Sequence, residues 1–258
     1  MKDLAEEIRR RPLLQITTWR SGSTPIHQIL SSYLKQTQGL NSLSYFFDIW
    51  ENSYEEKNGK IIRKKKAAPE PGPFFYSTLK RGEPSTVKAR VKLYKPHVGE
   101  YFLLTQPLEP KAINWLLQTH TPLFTEREDL PGQMISFLIS CAEGSWYRPD
   151  GLFPKEQTLV ARSEWFIELE TDLLWYFCLR KICVNSPVIT YEQFLKKKPK
   201  KLLADIGLTE KWDAASIKLS SRQNSTDFQK KLAAFKNADE IKSWYKKSFL
   251  NSHCEWPD

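Results

Sequence analysis

The segment from Leu13 to Leu30 constrains the fold of this 258-residue chain more than any other. It begins with the apolar and β-branched run LLQITTW, which predicts a buried strand. The polar turn Arg20–Thr24 follows, and a helix then begins with Pro25 in its first turn, where a missing N–H is tolerated. One face of this helix carries the apolar residues Ile26, Ile29, Leu30, Tyr33 and Leu34. A strand that enters a helix through a short turn is typical of parallel sheets covered by helices.

Strand and helix patterns alternate along the rest of the chain. Strands are predicted at 91–97, 121–126 and 187–192, and helices at 130–141, 156–182 and 239–249, with a further helix that ends near Gly207. Residues 51–72 are charged, contain glycine and prolines, and are interpreted as a mobile excursion or an exposed hairpin. The expected fold is therefore a single α/β domain over residues 1–258, with a mostly parallel sheet and an inserted loop region at 51–72.

The composition favours a globular protein with an anionic partner. Hydrophobic residues make up 40% of the chain, enough for a sizeable core, and the formal net charge is +9. A basic balance favours a nucleotide, a nucleic acid, an acidic substrate or a membrane surface, and is also compatible with a basic surface that has no specific target. The apolar runs are far shorter than the ~20 residues that a membrane-spanning helix needs, so no membrane span is expected.

Cysteine usage and the amino terminus bear on the compartment. None of the four cysteines forms a CxxC pair, and Cys178 and Cys183 are expected to be buried in apolar stretches. This pattern argues against a disulfide framework and against a zinc site. The first twelve residues, MKDLAEEIRRRP, are charged and lack the apolar region of a secretory signal. A cytoplasmic location is expected.

The turn between the first strand and the first helix is suited to binding a phosphate. A helix amino terminus offers N–H groups and a partial positive charge to an anion. Gly22 allows the backbone to come close to a ligand, Ser21, Ser23 and Thr24 add hydroxyl groups, and Arg20 adds a forked cation. The turn lacks the lysine of a Walker A loop, which weakens an ATPase or kinase interpretation. A serine-rich turn whose hydroxyls only cap the helix is the alternative.

Three segments in order resemble the sulfotransferases that use 3'-phosphoadenosine 5'-phosphosulfate (PAPS), in particular their bacterial and phage-like branch. LLQITTWRSGSTPIHQIL resembles their 5'-phosphosulfate-binding loop, and PLFTEREDLPGQMISFLIS resembles their 3'-phosphate-binding strand and helix. ITYEQFLKKKPKKLLADIGL resembles a third feature, a strand that ends in Tyr-Glu before helices. The resemblance covers about residues 13–207. It implies a P-loop-like parallel sheet and transfer of a sulfuryl group from PAPS to a hydroxyl or amine, with PAPS as co-substrate and no metal.

The resemblance also implies roles for individual residues. The turn Arg20–Thr24 would hold the 5'-phosphosulfate, with Arg20 stabilising the leaving phosphate oxygen. Arg127 and Ser136 would hold the 3'-phosphate, and Arg222 would reach it from a C-terminal segment. Glu128 stands where many members of the family carry the arginine. From the residues alone, Arg127 is also compatible with a surface salt bridge, Ser136 with a helical hydroxyl bonded to its own backbone, and Arg222 with a solvated loop.

The general base has two candidate positions. Many eukaryotic sulfotransferases carry a Lys-x-His pair, and Lys95 and His97 have that spacing, with His97 as base and Lys95 steadying the bridging oxygen. Imidazole suits the role because its pKa lies near neutrality. Many bacterial relatives instead use a glutamate at the position of Ser44, where Asp48 or Glu51 would have to substitute. His97 is equally compatible with a loop-end histidine without a catalytic role.

Two other functions are weighed against the sulfotransferase hypothesis. One is a P-loop phosphotransferase, which the missing Walker lysine disfavours. The other is a basic nucleic-acid-binding protein that uses Arg63–Lys66 and Lys196–Lys201, but these runs have few interleaved aromatic residues for base stacking. A chain that binds the nucleotide but has lost its base is a further alternative. The expected partner is a small-molecule, sugar or lipid acceptor, and no nucleic acid is expected.

Overall fold

The structure is a computed structural model that describes residues 4–11, 13–38, 42–43, 54–57, 60–63, 86–90, 117–118, 121–143, 154, 156–215, 217 and 228–257. Its strands are β1 (Leu13–Thr17), β2 (Ser42–Leu43), β3 (Tyr54–Lys57), β4 (Lys60–Arg63), β5 (Thr86–Arg90), β6 (Thr121–Glu126) and β7 (Val188–Thr190). Its helices are α1 (Leu4–Arg10), α2 (Ser23–Gln38), α3 (Leu130–Glu143), α4 (Ser163–Ile182), α5 (Tyr191–Lys196), α6 (Pro199–Ala204), α7 (Phe228–Leu232) and α8 (Ala238–Lys247), followed by a 3-10 turn at Phe249–Ser252.

Five of the strands form a parallel sheet in the order β2-β5-β1-β6-β7. In the register of the central strand, Leu13 of β1 lies opposite Thr86 of β5 and Thr121 of β6. All five residues of β1 are buried, because both faces of a central parallel strand are covered. The α/β class with a parallel sheet and flanking helices is confirmed. Because parallel strands share one carboxyl edge, the turns that follow β1, β6 and β7 lie side by side.

The helices pack around two hydrophobic clusters. The first joins α1, α2, α5 and α6 to the sheet, and the predicted apolar face of α2 is confirmed, since all of its members are buried. The second is built from α3, α4 and α8, with Trp19 reaching it from the turn after β1. The turn after β1 therefore lies between two packed cores, which fix it from both sides.

The structure shifts several predicted boundaries. The strand predicted at 187–192 ends at Thr190, because the Thr190 hydroxyl accepts a hydrogen bond from the Gln193 N–H and begins α5 with a capping box. The helix predicted from residue 156 begins only at Ser163. The charge and the proline of residues 196–201 predict an exposed basic turn, but this run covers the end of α5 and the start of α6, where Pro199 occupies a first-turn position.

The inserted region contains an antiparallel hairpin formed by β3 and β4, in which Tyr54 pairs with Arg63. This agrees with the hairpin interpretation of residues 51–72. The strand predicted at 91–97 lies outside the described residues, and the strand described just before it is β5. Within the described ranges, no helix is long and apolar enough to cross a membrane.

The expected burial of Cys178 is wrong. Cys178 lies on a solvent-facing side of the 20-residue helix α4, whose exposed apolar residues also include Ile167 and Leu174. Cys183 follows the end of that helix and is half-buried. Burial raises the pKa of the Cys183 thiol, and the nearby Arg180 opposes that rise. An apolar sequence run does not distinguish the packed face of such a helix from its exposed face.

Candidate anion-binding site

The turn after β1 is built on two left-handed residues. Arg20 has φ +55° and Gly22 has φ +73°, so the chain reverses within a few residues and α2 begins at Ser23. Ser21 is buried, its Oγ lies 2.5 Å from Thr17 Oγ1, and it donates to the Thr18 carbonyl at 2.9 Å. Ser21 therefore ties the turn to its own strand. Ser23 and Thr24 follow in the first turn of α2, at the helix end that attracts anions.

Gly22 is required by its neighbour as well as by its backbone conformation. A Cβ atom at this position would lie 2.1 Å from Cδ2 of Tyr191, the first residue of α5. The Tyr191 ring thus rests directly against the turn. Burial raises the pKa of the Tyr191 hydroxyl, Arg127 and Arg20 oppose the rise, and Glu192 adds to it. The phenol stays protonated at neutral pH and keeps its O–H donor.

Helix α3 holds the turn from the other side. Arg20 Nε donates to Ser136 Oγ at 3.0 Å, which brings together two residues predicted for the site. Gln133, one turn earlier in α3, donates to Thr18 Oγ1 at 2.9 Å and to the Trp19 carbonyl at 2.5 Å. These contacts fix the path of the chain and the direction of the Arg20 side chain. The role of Gln133 was not predicted, because a single buried amide in an otherwise apolar helix gives no periodic signal.

Arg127 follows β6 and is buried, with only 8% of its surface exposed. Its guanidinium donates to Asp129 Oδ2 at 2.7 Å and lies 5.3 Å from the centre of the Tyr191 ring. Arg127 Nε lies 3.9 Å from Glu192 Oε1 and, among the described residues, has no hydrogen-bond acceptor. The alternative interpretation of Arg127 as a surface salt-bridge residue is therefore wrong about its exposure, although Arg127 does form an ion pair with Asp129. Glu128 is exposed, and its backbone N–H donates to Glu192 Oε2 at 3.0 Å.

Gly132 makes room for this ion pair. Its N–H donates to Asp129 Oδ1 at 2.8 Å. A Cβ atom on Gly132 would lie 1.9 Å from Asp129 Oδ2 and 2.8 Å from Arg127 Nη2. The glycine in the first turn of α3 therefore permits Asp129 to contact the helix start and Arg127 together.

Lys231 is a third cation at the site, and the sequence did not reveal it. It lies on the short helix α7, which packs against α3. The pKa of Lys231 is lowered to about 8, mainly by burial and also by the positive charges of Arg127 and Arg20, while Asp129 opposes the shift. The run FQKKL contains two adjacent lysines, of which only Lys231 is partly buried. The sequence alone does not distinguish the two, because the difference depends on how α7 packs. The exposed one is Lys230.

The other histidines and the remaining predicted residues separate into two groups. His27 is buried below the turn, where its Nδ1 lies 2.9 Å from Gln15 Oε1, and His253 stacks on Phe177 with 4.8 Å between ring centres. Both positions agree with packing roles. The other residues, among them the predicted base and its alternatives, lie outside the described residues: Ser44, Asp48, Glu51, Lys95, His97, His120 and Arg222.

The arrangement gathers arginine, lysine, hydroxyl and helix N–H groups at one carboxyl edge of the sheet, which is the chemistry that binds a phosphoryl or sulfuryl oxygen. In the described part of the chain, no group of three or more His, Cys, Asp or Glu residues is placed to hold a metal ion. Comparison of the chain with protein-family models, curated proteins and solved structures gives no significant match.

Proposed function

We propose that this chain is a PAPS-dependent sulfotransferase that moves a sulfuryl group to a hydroxyl or amine of a small-molecule, sugar or lipid acceptor. The observation that carries the proposal is the contact between Arg20 and Ser136 at 3.0 Å. It joins the turn after β1 to α3 and thereby links the two segments that resemble the 5'- and 3'-phosphate sites of the family. The proposal includes a P-loop-like sheet within one domain over residues 1–258.

The 5'-phosphosulfate would bind at the amino terminus of α2. There the backbone N–H groups of Gly22 and Ser23 and the Arg20 guanidinium can act together on the phosphosulfate oxygens. Tyr191 bounds this space, because its ring rests on Gly22. A protonated phenol beside the turn adds a further donor without adding charge.

The 3'-phosphate would bind between Arg127 and Ser136. Arg127 is already paired with Asp129, so a phosphate has to share the guanidinium or displace one carboxylate contact. A guanidinium has five N–H donors, which permits sharing. The buried Nε of Arg127 is the donor for which no acceptor is found among the described residues.

In the reaction, the acceptor oxygen or nitrogen would attack sulfur in line with the bond to the 5'-phosphate oxygen. That S–O bond breaks, and its electron pair stays on the nucleotide product 3'-phosphoadenosine 5'-phosphate (PAP). We assign proton removal from the acceptor to His97 and stabilisation of the bridging oxygen to Lys95 and Arg20. Positioning and electrostatic stabilisation supply most of the rate, as in phosphoryl transfer.

Calorimetric titration with PAP, AMP and ATP tests the nucleotide site. We expect micromolar binding of PAP, weaker binding of AMP, and a loss of about 100-fold in PAP affinity for Arg20→Ala, since charged hydrogen bonds contribute about 1.5–3 kcal/mol each. Arg162→Ala is the matched control, because Arg162 is an exposed arginine that lies over the Trp165 ring. Equal affinities for PAP and AMP would contradict a 3'-phosphate site. Binding of ATP without PAP would favour a phosphotransferase.

Turnover of PAPS tests the assignment of the base. We expect His97→Ala to lower the rate of sulfuryl transfer by about 100-fold or more while PAP affinity changes little, since general base catalysis contributes about 10²–10⁴-fold. The rate is measured with PAPS and a panel of phenol, sugar and lipid acceptors. An unchanged rate would move the base to Asp48 or Glu51, and the matched variants Asp48→Asn and Glu51→Gln would then identify it.

A further inference from the structure

We propose that the exposed side of α4 is an interface through which two copies of this chain form an antiparallel dimer. The partner is a second copy of the same chain, and α4 of one copy lies against α4 of the other. The dimer does not depend on which ligand binds at the turn after β1. It gives a role to exposed apolar side chains that neither the two cores nor the anion site uses.

Helix α4 is apolar on two sides, and the described part of the chain packs on one of them. The inner side carries Phe166, Leu169 and Leu173, which are buried in the hydrophobic cluster shared with α3 and α8. On the other side, Ile167 has 51% and Leu174 has 48% of its surface exposed. A helix that is apolar on all sides is normally covered on all sides, so the outer side is expected to be covered as well.

The outer residues of α4 recur at alternating intervals of three and four positions. We refer to them as the outer stripe: Glu164, Ile167, Thr171, Leu174, Cys178 and Lys181. This spacing is that of the contact seam between two helices that pack side by side at a small angle. Because α4 has 20 residues, the stripe extends over most of its length and is about 25 Å long.

The charged ends of the outer stripe favour an antiparallel pair. Glu164 lies in the first turn of α4 and Lys181 in its last turn, and both are exposed. In a parallel pair each residue would lie beside its own copy, so like charges would meet at both ends. In an antiparallel pair Glu164 lies opposite Lys181 of the second copy, and two-fold symmetry makes this contact twice. Glu164 already has an interaction within its own chain, but a carboxylate has two oxygens and can accept from a further cation.

The apolar middle of the outer stripe is complementary to itself in the same register. With the two-fold axis between positions 172 and 173, Ile167 lies opposite Cys178 of the second copy, and Leu174 lies opposite Thr171. Each layer of the seam thus pairs a large side chain with a smaller one. Thr171 Oγ1 donates to the Ile167 carbonyl at 2.6 Å within its own helix, so it brings its methyl group to the seam without an unmet donor. One register therefore satisfies both the charges and the side-chain volumes, which points to a second copy as the occupant.

The size of the outer side indicates a weak dimer. Trp175 and Ile182 lie beside the stripe and extend its exposed apolar surface. A contact along one pair of helices of this length is nevertheless at or below the lower end of specific interfaces, which is about 1,200 Å² in total. The dissociation constant is therefore expected in the micromolar range.

Sedimentation velocity of the full chain over a range of micromolar concentrations tests the dimer. We expect a monomer–dimer equilibrium for the wild-type protein. Leu174→Glu places an unpaired carboxylate in the seam twice, and we expect it to raise the dissociation constant by about 100-fold or more. Val184→Glu is the matched control, because it adds the same charge at an exposed apolar residue that lies after the end of α4. It is expected to leave the equilibrium unchanged, and thermal melts verify that both variants fold.

Exchange of the end charges tests whether the partner is a second copy. Glu164→Lys and Lys181→Glu each replace two attractions with two repulsions, and we expect each to raise the dissociation constant about fivefold, since exposed ion pairs contribute little. The double variant restores opposite charges at both ends and is expected to dimerise like the wild-type protein. A double variant weaker than either single variant would contradict the antiparallel register.

Disulfide trapping tests the register directly. Under mild oxidation, Ile167→Cys is expected to form a disulfide-linked dimer with Cys178 of the second copy. The control Ile167→Cys/Cys178→Ser is expected to remain unlinked. Linkage of the wild-type chain through Cys178 alone would place the two copies of Cys178 side by side, which contradicts the antiparallel pair.

Two further outcomes would overturn the proposal. A dimer that is insensitive to Leu174→Glu would place the interface elsewhere. A chain that is monomeric at all concentrations, with the thiol of Ile167→Cys protected from an uncharged thiol reagent, would show that another segment of the same chain covers the outer stripe.

Discussion

Two turns at the same edge of the sheet each present an arginine, but they hold it differently. After β1, Arg20 stands in a left-handed conformation and donates to the neutral hydroxyl of Ser136. After β6, Arg127 is buried, donates to Asp129 and has Glu192 within 3.9 Å. A phosphate bound at Arg20 would share the guanidinium with the Ser136 hydroxyl. A phosphate bound at Arg127 would meet the Asp129 carboxylate, which already accepts from one of the guanidinium N–H groups.

The difference assigns distinct tasks to the two arginines. The ion pair at Arg127 contributes to folding, because a buried cation without an anion is costly. The hydrogen bond from Arg20 to the neutral Ser136 hydroxyl contributes little to folding but fixes the direction of the side chain. We therefore expect substitutions at Arg127 to affect mainly stability and substitutions at Arg20 to affect mainly ligand binding.

The largest expected effect comes from filling the space above Gly22. Gly22→Ala combines a left-handed backbone with a clash against Tyr191, and we expect it to lower the free energy of unfolding by about 3 kcal/mol or more. Urea denaturation measures the change. Gly207→Ala is the matched control, since Gly207 also has a positive φ but a Cβ there would only meet Leu4 at 3.8 Å. It should cost about 1 kcal/mol. Equal costs would contradict the close contact with Tyr191.

Next in size is the contrast between the two arginines. Arg127→Ala leaves Asp129 and Glu192 without their cation, and we expect it to lower the free energy of unfolding by about 2 kcal/mol. Arg20→Ala is expected to have a smaller effect on stability, because the hydrogen bond it removes at Ser136 goes to a neutral group and contributes about 1 kcal/mol or less. The order should reverse for PAP affinity, where Arg20→Ala has the larger effect. If both measurements rank the arginines in the same order, the division of tasks is wrong.

A smaller effect is expected at the hydroxyl that holds Arg20. Ser136→Ala removes the acceptor of the Arg20 Nε–H, and we expect PAP affinity to fall about fivefold, consistent with about 1 kcal/mol for a hydrogen bond. Ser140→Ala, one turn further along α3, removes only a bond to the Ser136 carbonyl and should leave affinity unchanged. Calorimetric titration compares the two. An equal fall in both variants would indicate a general loosening of α3 rather than loss of the contact with Arg20.

The sequence predicted those parts of the molecule that follow from periodicity. The apolar face of α2 from Ile26 to Leu34 repeats at helical spacing, and β1 is a β-branched run, so both were found without tertiary information. The parallel sheet followed from their alternation with the later elements. The importance of Gly22 was also predicted from its backbone freedom. The contact with the Tyr191 ring, which also requires a glycine at this position, was not predicted.

The parts that the sequence did not predict depend on contacts between distant segments. Tyr191 was assigned to the end of a strand, because the capping interaction of Thr190 that starts α5 there competes with an apolar, β-branched pattern. The pairing of Asp129 with Arg127 and the partial burial of Lys231 depend on how the turn after β6, α3 and α7 come together. Such pairings have no local signature, and the acidic and basic residues involved are equally typical of a solvated surface.

The most direct test of the account is a crystal structure of the full chain grown with saturating PAP. The account predicts the 5'-phosphate within hydrogen-bonding distance of the backbone N–H groups of Gly22 and Ser23 and of the Arg20 guanidinium. It also predicts the 3'-phosphate between Arg127 and Ser136. A fully occupied PAP bound elsewhere, with no ligand at residues 20–24, would contradict the central claim that this turn binds the phosphates of an adenosine carrier.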